Sequence, residues 1–186
     1  INKYAKDDKA YDFGYGDEDG KDKGIVLWLY GSADDSYIWK QSVEGSAVNL
    51  GYGIKHHLAV TWKASTSTAE LFIDGVSMGK KTGSQTSIRN SSQAFKIGGR
   101  NEYFDGSIDD VRVWNIVRTS AEINANKDRE LTGNESGLVG YWKLNDSLSD
   151  ATSNSNTLTN NNAATFSADG ATSATLISGC ACGKRP

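Results

Sequence analysis

Short runs with a two-residue hydrophobic period dominate the first half of the chain and constrain its fold more than any other feature. Five of them follow one another: 10–15, 25–30, 36–39, 58–62 and 69–73. Each has the length and residue types of an ordinary β-strand. Clusters of Gly, Asp, Asn and Ser separate the runs, and Asp74-Gly75 is a strong two-residue hairpin signal. The sequence therefore predicts a series of antiparallel hairpins.

Only one helix is expected, near residues 119–130. Thr119 can cap its first amides while Glu122 reaches back to the cap residue. After a further strand at 137–144 comes a stretch rich in Ser, Thr, Asn and Asp, residues 147–162, which indicates a long loop that something must fix. The predicted class is all-β, and the predicted architecture is a two-sheet antiparallel sandwich with one short helix.

Charge and hydropathy exclude two classes of partner. Twenty Lys and Arg oppose 23 Asp and Glu, and no basic stripe could neutralise a phosphate backbone, so no nucleic acid is expected as a partner. No apolar run approaches the roughly 20 residues that cross a bilayer, so no membrane insertion is expected. Residues 1–6 lack the features of a signal peptide; an export signal has been removed or the chain was never exported.

Four linked segments carry a family resemblance. Residues 55–62, 69–76, 95–99 and 104–115 resemble, in order and spacing, the laminin-G-like jellyroll domains of the concanavalin A-like lectin/glucanase superfamily, which are related to pentraxins. The resemblance covers about 25–145. It implies a jellyroll sandwich and an extracellular or cell-surface location. It does not specify the function, because this fold serves lectins, adhesion modules, glycanases and lyases.

The resemblance also suggests how the chain is divided. Residues 1–170 are expected to form the sandwich and 171–186 a flexible tail with Cys180 and Cys182, which are too close in sequence to bridge without strain. The tail thiols can be free, bonded to another chain or part of a metal clip. The family's first strand is expected to be absent at the N-terminus, whereas 137–145 looks like that strand. This strand either closes its own sandwich or completes a neighbouring copy.

A structural calcium site is expected between a strand and the long loop. Strand alternation places Asp109 on the face of Val111 and Val113, where a buried carboxylate needs hydrogen bonds, a proton or a cation. The loop resembles the family's metal loop, with Asp146 and Ser153 in place of its usual glycines. The alternative is that Asp109 accepts backbone amides and the loop is solvated. The predicted calcium ligands are Asp109, Asn145, Asp146, Asp150 and Asn156.

No catalytic residues are predicted. The two histidines, His56 and His57, are adjacent on a strand and point to opposite faces, so they cannot share a metal or a proton relay. No nucleophile motif is present. Glu70 and Asp74 share a strand face, but Asp74 belongs to the hairpin turn, and a structural role is expected for both.

The expected function is non-catalytic binding of a glycan or cell-surface polysaccharide. Aromatic rings on open sheet faces or loops can stack on sugars, although one face of every sandwich strand is core. The predicted ligand-binding residues are Trp28, Tyr30, Trp39, Arg100 and Tyr103. The alternatives are cell-surface adhesion or self-assembly of copies of this chain through strand exchange, and then a glycanase or polysaccharide lyase.

Overall fold

The computed structural model of the chain describes residues 1–5, 8–16, 24–30, 37–39, 53–84, 86–99, 103–104, 106–168, 174–177 and 181–183. One α-helix, α1 (Ser120–Asn126), and one 3-10 turn (Ala64–Thr66) lie in these ranges. No described helix is both long and apolar enough to cross a bilayer. The strands, in chain order, are β1 (Asn2–Ala5), β2 (Asp8–Gly16), β3 (Gly24–Tyr30), β4 (Tyr37–Trp39), β5 (Leu58–Lys63), β6 (Thr68–Ile73), β7 (Val76–Thr82), β8 (Lys96–Ile97), β9 (Ser107–Ile108), β10 (Val111–Trp114), β11 (Leu138–Trp142), β12 (Leu158–Asn160), β13 (Thr165–Ala168), β14 (Ala174–Ile177) and β15 (Ala181–Gly183).

The described strand pairings are all antiparallel. The predicted all-β class and the single short helix near 119–130 are therefore confirmed. The chain divides into two compact units. The first unit comprises Ile1–Tyr4, Ser92–Ile116 and Arg129–Pro186, and the second comprises Ala5–Ser91 and Val117–Asp128.

Two antiparallel sheets build the second unit, with strand orders β2-β3-β4 and β5-β6-β7. Alternation along β6 places Ala69, Leu71 and Ile73 on one face, and all three are buried together with Leu29 of β3. The partly buried side chains packed on this cluster come from both sheets and from Ile88, which follows β7; those of the sheets are Tyr11, Phe13, Leu58, Val60, Trp62 and Met78. Residues of the two sheets thus share one apolar core, as in a β-sandwich.

The Asp74-Gly75 hairpin has the conformation that its sequence predicts. Both residues have positive φ angles, 50° and 80°, as a two-residue turn between twisted strands requires. A Cβ on Gly75 would overlap the side chain of Asn124 in α1, which donates a 3.0 Å hydrogen bond to the Gly75 carbonyl. The helix begins with the predicted capping box of Thr119 and Glu122.

Three groups of paired strands lie in the first unit: β12-β15-β8-β1, β13-β14-β9 and β10-β11. Leu131, Leu138 and Tyr141 form a buried cluster there, with Trp114 and Ala151 packed against it. The guanidinium carbon of Arg112 in β10 lies 5.5 Å from the centroid of the Tyr141 ring. The Tyr141 hydroxyl accepts a 3.0 Å hydrogen bond from the Leu131 amide.

The strand at 137–145, for which two roles were open, pairs within its own chain. It forms β11, and the register Val111↔Trp142 and Arg112↔Tyr141 joins it to β10. The strand therefore completes a sheet of this chain without requiring a neighbouring copy.

Two short strands lie in the described part of 171–186, the segment predicted to be a flexible tail, and the division at residue 170 stays a prediction. The strands are β14, which pairs with β13 and β9, and β15, which pairs with β12 and β8. Thr and Ile are common in strands, but the four residues at 174–177, Ala-Thr-Leu-Ile, give only a weak signal in the sequence. Cys180 lies outside the described residues.

Candidate functional site

An exposed aromatic residue marks the connection that follows β8. The Tyr103 side chain is 61 % exposed, and Tyr103 forms an antiparallel bridge with Gly99. The next amide, of Phe104, donates a 2.8 Å hydrogen bond to the carbonyl of Gly98. These backbone contacts fix the position from which the Tyr103 ring extends into solvent. Arg100, the polar residue predicted beside it, lies outside the described residues.

Phe104 is a second exposed ring that the sequence-based site did not include. It is 38 % exposed, and a Cβ on Gly106 would lie 2.7 Å from its Cε1 atom, so the ring packs directly over this glycine. Tyr103 and Phe104 therefore place two exposed rings on the same connection.

The prediction that Trp28 and Tyr30 bind a ligand disagrees with their burial in this structure. Their side chains are only 5 % and 3 % exposed, and their rings stack on each other at a centroid distance of 6.4 Å and an interplanar angle of 7°. Leu29 between them is buried in the second unit's core, so both faces of β3 are covered. Neither ring can stack on a sugar without leaving the interior. The side chain of Trp39 lies outside the described part of the chain.

Asp150 lies buried in the loop that was predicted to hold calcium, where protein groups surround its carboxylate. Oδ1 accepts hydrogen bonds from the amides of Tyr141 and Thr152, both at 2.9 Å. Oδ2 accepts from the Thr152 hydroxyl at 3.0 Å and from the amide and side chain of Asn156 at 3.0 and 3.1 Å. A carboxylate offers about four lone-pair positions, so Asp150 does not fit the predicted role of calcium ligand.

Hydrogen bonding also explains the charge state of Asp150. Burial alone would raise the pKa of this carboxyl, but the amides of Thr152, Tyr141 and Asn156 outweigh that effect and hold the pKa below its ordinary value. Asp150 is consequently ionised at neutral pH and stabilised by dipoles of the protein.

The other predicted ligands do not converge on Asp150, apart from Asn156. Asn145 donates to Glu130 at 2.5 Å, and this bond, together with Lys143, holds the pKa of Glu130 below its ordinary value. Asp146 is exposed with a φ of 53°, consistent with its position at a usual family glycine. Within the described ranges, no group of three or more His, Cys, Asp or Glu side chains could hold a metal ion. Calcium binding by Asp109, Asn145, Asp146 and Asn156 stays a prediction.

Regular strand alternation does not extend back to Asp109, because it is interrupted at the next residue. Asp110 has a φ of 54°, so regular strand geometry begins only at Val111. Val111 is buried and Asp109 is half-buried, although its Oδ1 atom has almost no contact with solvent. The left-handed conformation of Asp110 is uncommon in a non-glycine residue, although Asp adopts it more readily than most.

Glu70 and Asp74 make their contacts around the β6–β7 hairpin. Asp74 accepts hydrogen bonds from the His57 amide at 2.8 Å and pairs with the His56 ring at 2.7 Å. Desolvation raises the pKa of Asp74, but these bonds lower it by more, so the pKa lies below its ordinary value. Glu70 accepts from the Ser77 hydroxyl and lies 3.4 Å from the Lys80 ammonium. These contacts support the structural interpretation of Glu70 and Asp74.

Comparison with known proteins identifies one family. Residues 2–124 match a laminin-G-type family model described as the concanavalin A-like lectin/glucanases superfamily. The matched range spans more than half of the chain and contains Tyr103, but it ends before β11 and the Asp150 loop. No curated protein and no solved structure matches the chain.

Proposed function

Because the chain belongs to the concanavalin A-like lectin/glucanases superfamily, we propose that it is a carbohydrate-binding module that acts outside the cell or at its surface. Membership of this family supports a binding module, and the glycan is the ligand class that we add. The observation that carries the proposal is the Tyr103 ring, 61 % exposed beside a bridged backbone.

The chemistry of Tyr103 suits a sugar. The apolar face of a pyranose can stack on an aromatic ring, and tyrosine adds a hydroxyl that donates or accepts a hydrogen bond. A tyrosine side chain has only two rotatable angles, so ordering it on a ligand costs little conformational entropy. Arg100, Asn101 and Glu102 precede it in the sequence and are candidates to bind sugar hydroxyls.

A glycan array followed by calorimetry with the best sugar tests the proposal. We expect Tyr103→Ala to weaken binding about 2- to 12-fold, the equivalent of the 0.5–1.5 kcal/mol of an aromatic contact. Tyr103→Phe should keep most of the affinity. Val76→Ala is the matched control, because Val76 is equally exposed but lies in the second unit. Equal affinity of Tyr103→Ala and wild type would refute the site, and no binding to any glycan would refute the function.

The alternative functions lack a specific observation in their favour. Strand exchange was suggested by the strand at 137–145, but β11 pairs with β10 of the same chain. A glycanase would need two carboxylates flanking a cleft, and Glu70 and Asp74 are both engaged in the β6–β7 hairpin. We therefore offer no second function.

A further inference from the structure

The edge of β11 that does not face β10 is covered by a loop. The carboxylate of Asp150 accepts from the Tyr141 amide, and the Ala151 amide donates to the Tyr141 carbonyl at 2.7 Å. The side chains of Asn154 and Asn156 donate to the Val139 carbonyl at 3.0 and 3.3 Å. Residues 150–156, the edge-capping loop, thus make the hydrogen bonds to β11 that a neighbouring strand would make.

The edge-capping loop is itself tied together at several points. Five donors converge on the Asp150 carboxylate, as described above. The indole of Trp142 donates a 2.7 Å hydrogen bond to the Asn156 carbonyl, and beyond the loop the Leu158 amide donates to the Leu148 carbonyl at 2.9 Å. Bonds to an ionised carboxylate are roughly twice as strong as bonds between neutral groups. Asp150 is therefore the residue on which the shape of this loop depends most.

We propose that the edge-capping loop prevents β11 from pairing with β11 of a second copy, and that Asp150 is the positioning residue that holds it in place without a metal ion. An unpaired strand edge is a template for another chain. The same strand from two copies can pair antiparallel about a two-fold axis, so a second copy is the partner that an open β11 edge fits. This proposal does not depend on glycan binding.

Hydrogen exchange and light scattering of the full chain test the proposal, with wild type, Asp150→Asn and Asp128→Asn. Asp128 is the matched control, because the substitution is the same and its side chain is 77 % exposed beside Lys127. In Asp150→Asn we expect the Tyr141 and Ala151 amides to exchange at least tenfold faster. The Phe104 amide, bonded to the Gly98 carbonyl away from the loop, reports that the first unit remains folded. We also expect concentration-dependent dimers, which wild type and Asp128→Asn should not form.

Two results would overturn the proposal. If Asp150→Asn stayed monomeric at every concentration while the Tyr141 amide became unprotected, the loop would not protect β11 from a second copy. If a calcium chelator alone gave wild type the fast exchange of Asp150→Asn, an ion rather than the carboxylate would hold the loop. Unchanged exchange in wild type with chelator, combined with dimers of Asp150→Asn, would support both parts.

Discussion

Replacing Gly133 with alanine is expected to destabilise the chain through two separable effects. Gly133 has a φ of 96°, where an L-residue is strained. Its new Cβ would overlap the carbonyl oxygen of Ala151 and lie 2.8 Å from the carbonyl carbon. This neighbour is backbone, so no side-chain rotation can relieve the overlap. Movement of Ala151 would stretch the hydrogen bond that its amide donates to Tyr141.

The size of the effect follows from these two contributions. Left-handed backbone costs an L-residue roughly 1–2 kcal/mol, and overpacking typically costs about 1–3 kcal/mol. Gly133→Ala should therefore lower the free energy of unfolding by about 2–5 kcal/mol. Gly53 is the matched control: its φ is 78°, but nothing lies within 4 Å of the point that a Cβ would occupy, so Gly53→Ala should cost only the backbone part.

Urea unfolding followed by tryptophan fluorescence measures both variants. With a slope of about 2 kcal/mol per molar urea, the Gly133→Ala midpoint should fall by about 1–2.5 M. The difference between the two variants isolates the contact with Ala151. Equal midpoints for Gly133→Ala and Gly53→Ala would show that the loop moves away freely, and the reasoning from close packing would be refuted.

Two further predictions concern acid stability and the helix. Burial raises the pKa of Glu135, but the amides of Thr132 and Gly133 and the Thr132 hydroxyl overcome this and lower it to about 2. Because the pKa of Glu135 is lower in the folded than in the unfolded chain, the ionised carboxylate stabilises the fold above pH 4.5, and this stabilisation is lost as the pH falls towards 2. Glu135→Gln should therefore flatten the loss of urea stability below pH 4.5. An unchanged acid profile would contradict this. Thr119→Ala should cost about 1 kcal/mol by removing the cap that binds the Glu122 amide, as measured by thermal unfolding. Ser120→Ala, at an exposed position beside it, should cost much less, and equal losses would argue against the cap.

Local patterns predict much of the described part of the second unit. The runs at 58–62 and 69–73, the Asp74-Gly75 turn and the capping box depend on neighbouring residues, and the structure shows each of them. The β6 face of Ala69, Leu71 and Ile73 follows from the same period and forms the core. These features are predictable because the interactions that fix them lie within a few residues.

Contacts between distant residues explain what the sequence could not predict. Trp28 and Tyr30 belong to a strand that is covered on both faces, and an alternating pattern does not reveal how many layers cover it. The sequence predicts Asp150 as an oxygen ligand for a metal, but only the fold shows that the amides of Tyr141 and Asn156 donate hydrogen bonds to it. For Asp109, a single left-handed residue, Asp110, interrupts the regular alternation on which the prediction of its face depended.

The range that matches the family model is shorter than the range that folds together, because β10 lies inside the match and its partner β11 lies outside it. The family match ends at residue 124, between these two strands. A fragment cut at that point would keep Trp114 but lose its packing partners Leu131, Leu138 and Tyr141. The smallest fragment of this protein that could be expressed or moved into another protein with its packing intact therefore extends beyond the matched range and includes the edge-capping loop.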